Sequence, residues 1–237
     1  MTPLVSVIMP ARNVEQYVDE AVSSVLSQRG VSFELLVAED ASTDATWERI
    51  KAYKADPRVR LWRFKKRRGP GAAYNHLIAC AKGRYIAHCD ADDRFLSGFL
   101  AQAVKTLQKN PRAGAVSARR VSEYRTRGVE AQMRKVGVAK TWDLIGGAVS
   151  NGGTMVRRML LIKLGGYRTD LPYLEDCELF WRLAEVSRIL PLKGKPLYFY
   201  RKRRGSLTER FKKRGQAIRL KLVREVIRRR YGILPKW

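Results

Sequence analysis

Hydrophobic positions along the chain follow two periods in alternation. Leu4-Val5-Ser6-Val7-Ile8-Met9 is a largely apolar, β-branched run stopped at Pro10, which predicts a buried strand. From Asn13 the spacing changes to three and four residues. Val14, Tyr17, Val18, Ala21, Val22, Val25 and Leu26 then share one face, with Asn13 and Gln16 placed as a capping box at the start of a helix. A second strand is predicted over residues 33–38, ending in Glu39-Asp40. Ser42-Thr43-Asp44 then cap a helix that turns Trp47, Ile50 and Tyr53 inward. A third strand covers 59–64. A basic, glycine-containing loop over 65–71 leads to a helix over 72–81, and a fourth strand runs from Tyr85 into Asp90. A further helix (98–108) and strand (114–118) follow.

Strand and helix alternate with connections of a few residues, which predicts an α/β fold: a mostly parallel sheet with helices on both faces. The pattern then loosens. Residues 120–145 are polar and basic with weak periodicity and are expected to be irregular or a mobile loop. Order returns over 152–158, followed by a short helix ending at Gly165-Gly166, a helix start within 174–183 and a short aromatic strand over 196–201. Residues 216–231 predict an amphipathic helix. Ile218, Leu222 and Val226 adjoin Leu220, Val223 and Ile227 on its apolar side, and Lys221, Arg224 and Arg228 form a basic stripe.

With 237 residues, 45% of them hydrophobic, the chain is large enough for one domain or one domain with an appendage. It has no apolar run of 18 residues, and its first residues lack the features of a signal peptide. The expectation is therefore a cytoplasmic protein, peripheral at most at the inner face of the membrane. Cys80, Cys89 and Cys177 fit neither a disulfide framework nor a zinc site. Charge is the exceptional feature: 48 Lys+Arg against 22 Asp+Glu, a net +26, of which residues 201–237 contribute +13 from 15 basic and 2 acidic side chains. Such a surface seeks nucleotide phosphates, anionic lipid headgroups or nucleic acid. Basicity alone marks no nucleic-acid module, so no specific nucleic-acid partner is expected.

Polar residues fall at the carboxyl end of strand after strand: Asn13, Glu39-Asp40, Arg67-Arg68 and Asp90-Asp92. That is where ligands of open α/β sheets bind, and independent surface turns would not gather there. Asp90-Ala91-Asp92-Asp93 packs three carboxylates into four positions. They repel one another unless a cation lies between them, and hard oxygen donors suit Mg²⁺ or Mn²⁺. An isolated Asp-x-Asp reads more readily as a solvated acidic turn; here its setting favours a shared nucleotide site.

Four stretches in order carry a resemblance: Val5–Asn13, Val37–Asp44, Arg68-Gly69-Pro70-Gly71-Ala72-Ala73-Tyr74-Asn75 and Ala81–Asp93. They resemble the family 2 glycosyltransferases of GT-A (Rossmann-like) fold. The likeness is specific over 3–110, weaker over 146–207 and absent beyond 208. It implies a GT-A domain over 1–207, with a nucleotide-sugar half (1–119) and an acceptor half (120–207), followed by a basic C-terminal helix over 208–237. It also implies inverting, metal-dependent transfer of a sugar from a nucleotide diphosphate to an acceptor hydroxyl. By resemblance, Pro10, Ala11, Arg12 and Asn13 line base and ribose and Asp40 accepts from uracil, which favours UDP-sugars. Arg68 holds the diphosphate, and Asn75 and Ala91 belong to the same donor site. Asp90 and Asp92 contact ribose and a divalent metal (Mn²⁺ or Mg²⁺). Asp176 is the implied general base, with Glu175 second. Gly153, Trp181 and Arg204 are placed on the side of a glycan or glycolipid acceptor, with an anionic membrane surface nearby, although Trp181 reads first as a core residue and Gly152-Gly153 equally as a plain turn.

The sequence departs from the family pattern at several of these positions. Arg12 stands where an aromatic is frequent, Glu39 replaces an Asp, Ala41 a glycine, and Tyr74 an Arg. Arg203 lies where many members carry a metal-holding His, so that Arg203 or Arg204 would hold phosphate directly. His76 and His88 lack metal-ligand spacing and read as structural. Two other classes remain open on sequence grounds: a non-catalytic nucleotide-binding member of the fold, and a charge-driven nucleic-acid binder.

Overall fold

The computed structural model describes residues 2–122, 149, 151–203, 206–211 and 215–231. β1 (Val5–Ala11), β2 (Phe33–Asp40), β3 (Val59–Phe64), β4 (Tyr85–His88), β6 (Ala113–Ser117), β8 (Thr154–Arg157) and β9 (Arg188–Pro191) form one sheet in the order β3-β2-β1-β4-β8-β6-β9. β1 to β4 are mutually parallel and β6 is parallel to β9, whereas β8 runs antiparallel to both β4 and β6. The reversal has a plain cause. Thr154 at the start of β8 pairs with His88 at the end of β4, so the chain re-enters the sheet from its carboxyl-end side and brings Asn151 there. A second sheet joins β5 (Arg94–Phe95), β10 (Tyr198–Tyr200) and β7 (Arg120–Ser122) in the order β5-β10-β7.

Side chains of a strand alternate between faces, and here they build two cores. Val5, Val7 and Met9 of β1 and Leu35 and Val37 of β2 pack with α1 (Val18–Leu26) and α4 (Phe99–Lys109). Ile8, Leu36 and Ala38 pack on the opposite face with α3 (Pro70–Cys80), α6 (Glu175–Val186) and α8 (Gly215–Tyr231). α2 (Thr46–Lys51), α5 (Arg158–Lys163) and α7 (Leu207–Arg210) are short. Gly83 lets the chain entering β4 lie against β1, because a Cβ there would come within 2.5 Å of the Ser6 nitrogen.

Two predicted elements differ in detail. α1 starts at Val18 rather than Asn13: Asn13 is left-handed (φ 50°) and its Oδ1 accepts from the Thr43 N–H at 3.0 Å, so it ties the turn after β1 to the turn after β2 instead of capping a helix. α8 is a helix as expected, and part of its apolar side packs on its own domain. Leu222, Val223 and Val226 are buried in the second core, and Arg168–Glu225 (2.5 Å) and Arg229–Glu185 (3.4 Å) pin the helix to the domain. Leu220 remains exposed beside Lys221. Of the stretch expected to be irregular, 120–122 form β7 and 123–145 lie outside the described residues. Among the described residues, no helix is long and apolar enough to cross a membrane.

Candidate active site

The carboxyl ends of β1, β2 and β4 open into a cavity of about 260 Å³. Pro10, Ala11, Arg12 and Asn13 form one side, Asp40 the floor beside β2, and Asp90, Ala91 and Asp92 the turn after β4. The start of α6 contributes Leu174, Glu175 and Asp176, while β10 and the segment after it contribute Tyr200, Arg201 and Arg203. Five arginines (12, 67, 201, 203 and 210) share this lining with five carboxylates, those of Asp40, Asp90, Asp92, Glu175 and Asp176.

Backbone geometry aims these groups. Asp40 accepts from the N–H groups of Arg68 (2.6 Å) and Gly69 (2.9 Å), which folds the basic loop over the end of β2. Arg12 donates to the carbonyls of Asp40 and Ala41, holding the same turn from the other side. Ala41 is left-handed at φ 52°, a conformation that favours glycine, which explains the glycine frequent there in the family it resembles. Leu174 is also left-handed (φ 65°), and this sharp entry into α6 turns Glu175 and Asp176 toward the cavity.

The Asp90–Asp93 turn is held by aromatic hydroxyls. Tyr74 donates to Asp90 Oδ1 (2.7 Å), and its ring stacks on Tyr167 at 4.7 Å. Tyr198 accepts from the Asp90 N–H (3.2 Å) and donates to Asp93 Oδ2 (2.7 Å), while the Arg201 N–H donates to Asp93 Oδ1. Asp93 is thus an anchor for β10 and does not line the cavity. Burial, followed by the charge of Asp92, pushes the Asp90 carboxyl up to about 6. Asp92 Oδ2 accepts from Arg203 Nε at 2.6 Å.

Burial also dominates at the start of α6. A helix dipole should lower these carboxyl pKa values, but desolvation wins. Glu175 is pushed up to about 8 by burial and then by the charge of Asp176, and Asp176 itself is raised by burial. Asp176 Oδ1 accepts from the Cys177 N–H at 2.7 Å. Buried His88 is neutral, pushed down to about 3 by desolvation, and lies between Tyr167 Oη (2.9 Å) and Thr154 Oγ1 (3.1 Å).

Other residues expected at the site lie elsewhere. The Arg68 guanidinium sits 4.4 Å over the Phe64 ring, and Arg67 takes the place in the cavity lining. Asn75 brackets the backbone of Tyr167, accepting from its N–H (2.7 Å) and donating to its carbonyl (2.8 Å). The close approach at Gly153 is to Tyr198, whose ring a Cβ would meet at 2.8 Å. Trp181 is fully buried in the second core. Arg204 lies outside the described residues. Asn151, Tyr173 and Arg210 line the cavity with no motif of their own to mark them, whereas Tyr200 lines it from the aromatic strand read in the sequence.

As donors, Asp90 and Asp92 suit a hard cation that takes its remaining ligands from phosphate and water, the habit of Mg²⁺. Among the described residues no cluster of three or more His, Cys, Asp or Glu is poised to hold a metal, so substrate oxygens would have to complete the coordination.

A family model described as Glycosyl transferase family 2 matches residues 6–165, which is more than half of the chain. The chain belongs to glycosyltransferase family 2. An uncharacterized glycosyltransferase of Haemophilus influenzae is 30% identical over 207 residues, covering 82% of this chain and 63% of the relative. The UDP-Glc:alpha-D-GlcNAc-diphosphoundecaprenol beta-1,3-glucosyltransferase WfgD of Escherichia coli is 36% identical over 107 residues, 45% of this chain and 42% of that protein. The chain therefore spans less than two thirds of the length of these curated relatives. Among solved structures, the mannosyltransferase PcManGT of Pyrobaculum calidifontis, in complex with GDP-Man and Mn²⁺, superposes with a TM-score of 0.77 at 25% identity, covering 99% of this chain and 66% of that one. The seven-stranded, mostly parallel sheet is the GT-A fold of this family 2 chain.

Proposed function

We propose that the chain transfers a sugar, with inversion, from a nucleotide diphosphate sugar to a hydroxyl of a glycan or glycolipid. UDP-sugars are the favoured donors. One observation carries this reading: the strand-end acids, the arginines and the Glu175–Asp176 pair line a single cavity. Each Asp40 oxygen takes one backbone N–H and keeps a second lone pair, which suits the N3–H of uracil. Arg67 and Arg12 are guanidinium forks of the kind that hold a diphosphate. Asp90 and Asp92 would hold a divalent cation, which when bound offsets the negative charge growing on the departing diphosphate.

Asp176 takes the proton of the acceptor hydroxyl as the new C–O bond forms and the C–O bond to the diphosphate breaks. Glu175, pushed up to about 8, keeps its proton near neutrality and leaves that task to its neighbour. The UDP-glucose and lipid-linked acceptor in the E. coli relative's name support the donor and acceptor classes. The GDP-mannose complex is the reason to test guanine nucleotides beside them.

Thermal unfolding with UDP- and GDP-sugars, each with and without Mn²⁺, tests the reading. A donor at 100 times its Kd should add about 2.7 kcal/mol of stability. UDP-sugars are expected to stabilise most, and NMR of the transfer product should show an inverted anomeric centre. No stabilisation by any nucleotide sugar would end the proposal.

A further inference from the structure

Arg203 and Asp92 form an ion pair on the cavity wall, Nε to Oδ2 at 2.6 Å, with only about a fifth of each side chain exposed. The pair is built in. Arg201 donates from Nε to the Asp92 carbonyl at 3.1 Å, and the Arg203 guanidinium lies 5.8 Å from the Tyr17 ring. The neighbouring carboxylate, Asp90, already accepts from Tyr74. One of the two side chains suited to a divalent cation thus already holds a unit positive charge, and arginine does not give up its proton at any working pH. A divalent ion on Asp92 would stand beside that guanidinium, and like charges so close in a partly dry cavity repel strongly. An entering diphosphate offers Arg203 another partner, because diphosphate oxygens accept from a guanidinium fork as a carboxylate does.

We infer that Arg203 competes with the divalent cation for Asp92 and lets go only when a donor diphosphate arrives, so that cation uptake is conditional on nucleotide. The inference rests on the diphosphate donor proposed above. It makes binding ordered: nucleotide enters first or together with the cation, and cation alone binds poorly. Because coupling is reciprocal, the same residue sets how far the cation tightens nucleotide.

The experiment titrates Mn²⁺ into the full chain without nucleotide and follows the EPR signal of the free ion. Arg203→Ala and Arg203→Gln should bind Mn²⁺ about tenfold or more tightly than the parent. Arg203→Lys keeps the charge and should stay within about threefold of the parent. Adding UDP or GDP, whichever the chain binds, should tighten Mn²⁺ more in the parent than in Arg203→Gln. Thermal melts in EDTA identify any variant that fails to fold, and the Ala and Gln variants stand in for each other. Equal Mn²⁺ affinity in the parent and in the folded neutral variants overturns the inference, as does a Lys variant that tightens as much as they do. If neither UDP nor GDP binds the parent, the donor reading fails instead, and the nucleotide-free titration still decides the role of Arg203.

Discussion

Glu175 and Asp176 are neighbours in sequence, and burial raises the pKa of both, while backbone hydrogen bonds from Cys177 and Asn151 offset part of the rise at Asp176. An acid whose folded pKa is raised stabilises the fold fully below its unfolded pKa and loses that contribution as pH rises through the folded value. For Glu175 the window runs from its ordinary 4.5 to about 8. Glu175→Gln mimics the protonated form, so urea melts at pH 5, 7 and 9 should show less loss of stability on the alkaline side than in the parent, by a margin on the order of a few kcal/mol. As the proposed base, Asp176 would have to be ionised to accept a proton, and its pKa is raised by burial, so the acid limb of kcat/KM should lie above the ordinary carboxylate range. Asp176→Asn should lower kcat by about 10²- to 10⁴-fold while leaving nucleotide affinity in place, as measured by turnover and by calorimetry. The left-handed Leu174 ahead of the pair (φ 65°) shows local backbone strain at the entry to α6.

At the scale of elements, the basic, amphipathic sequence of α8 suits a membrane surface, a partner or its own domain. Leu222 and Val226 are almost fully buried against the core that holds Phe180 and Trp181, so this part of the apolar side is taken up by the domain itself. Leu222→Ala should cost about 2–5 kcal/mol in denaturant melts, whereas Leu220→Ala, at 47% exposure, should stay within about 0.5 kcal/mol. Similar small effects from both would mean that α8 is not docked. Lys221, Arg224 and Arg228 are exposed beside Leu220, so the coulombic part of any attraction to an anionic surface weakens with salt. β8 shows how an element sets a site: by entering from the carboxyl-end side it places Asn151 in the cavity lining.

The whole molecule carries +26, and charge of one sign works against compaction. The melting temperature should therefore rise by a few degrees between low salt and about 0.2 M NaCl, as screening shortens the reach of that repulsion. A flat or falling curve would show that the attractive pairs, such as Arg182–Glu178, outweigh it. A bound nucleotide should flatten the same curve by supplying negative charge inside the cavity.

The sequence by itself determined the alternation of strands and helices, the acids at the strand ends and the family, because each is written within short windows of periodicity and turn chemistry. It could not show where long side chains find their partners. Arg203 meets Asp92 across 111 positions, and Asn75 meets Tyr167 across 92. Such pairings depend on how distant segments come together in the fold, as do the reversal of β8 and the burial that raises the Glu175 pKa. A residue's neighbours along the chain fix its backbone, whereas its desolvation and its charge partners come from the packed whole; only the tertiary structure therefore decided which charges at the site stand free and which are already engaged.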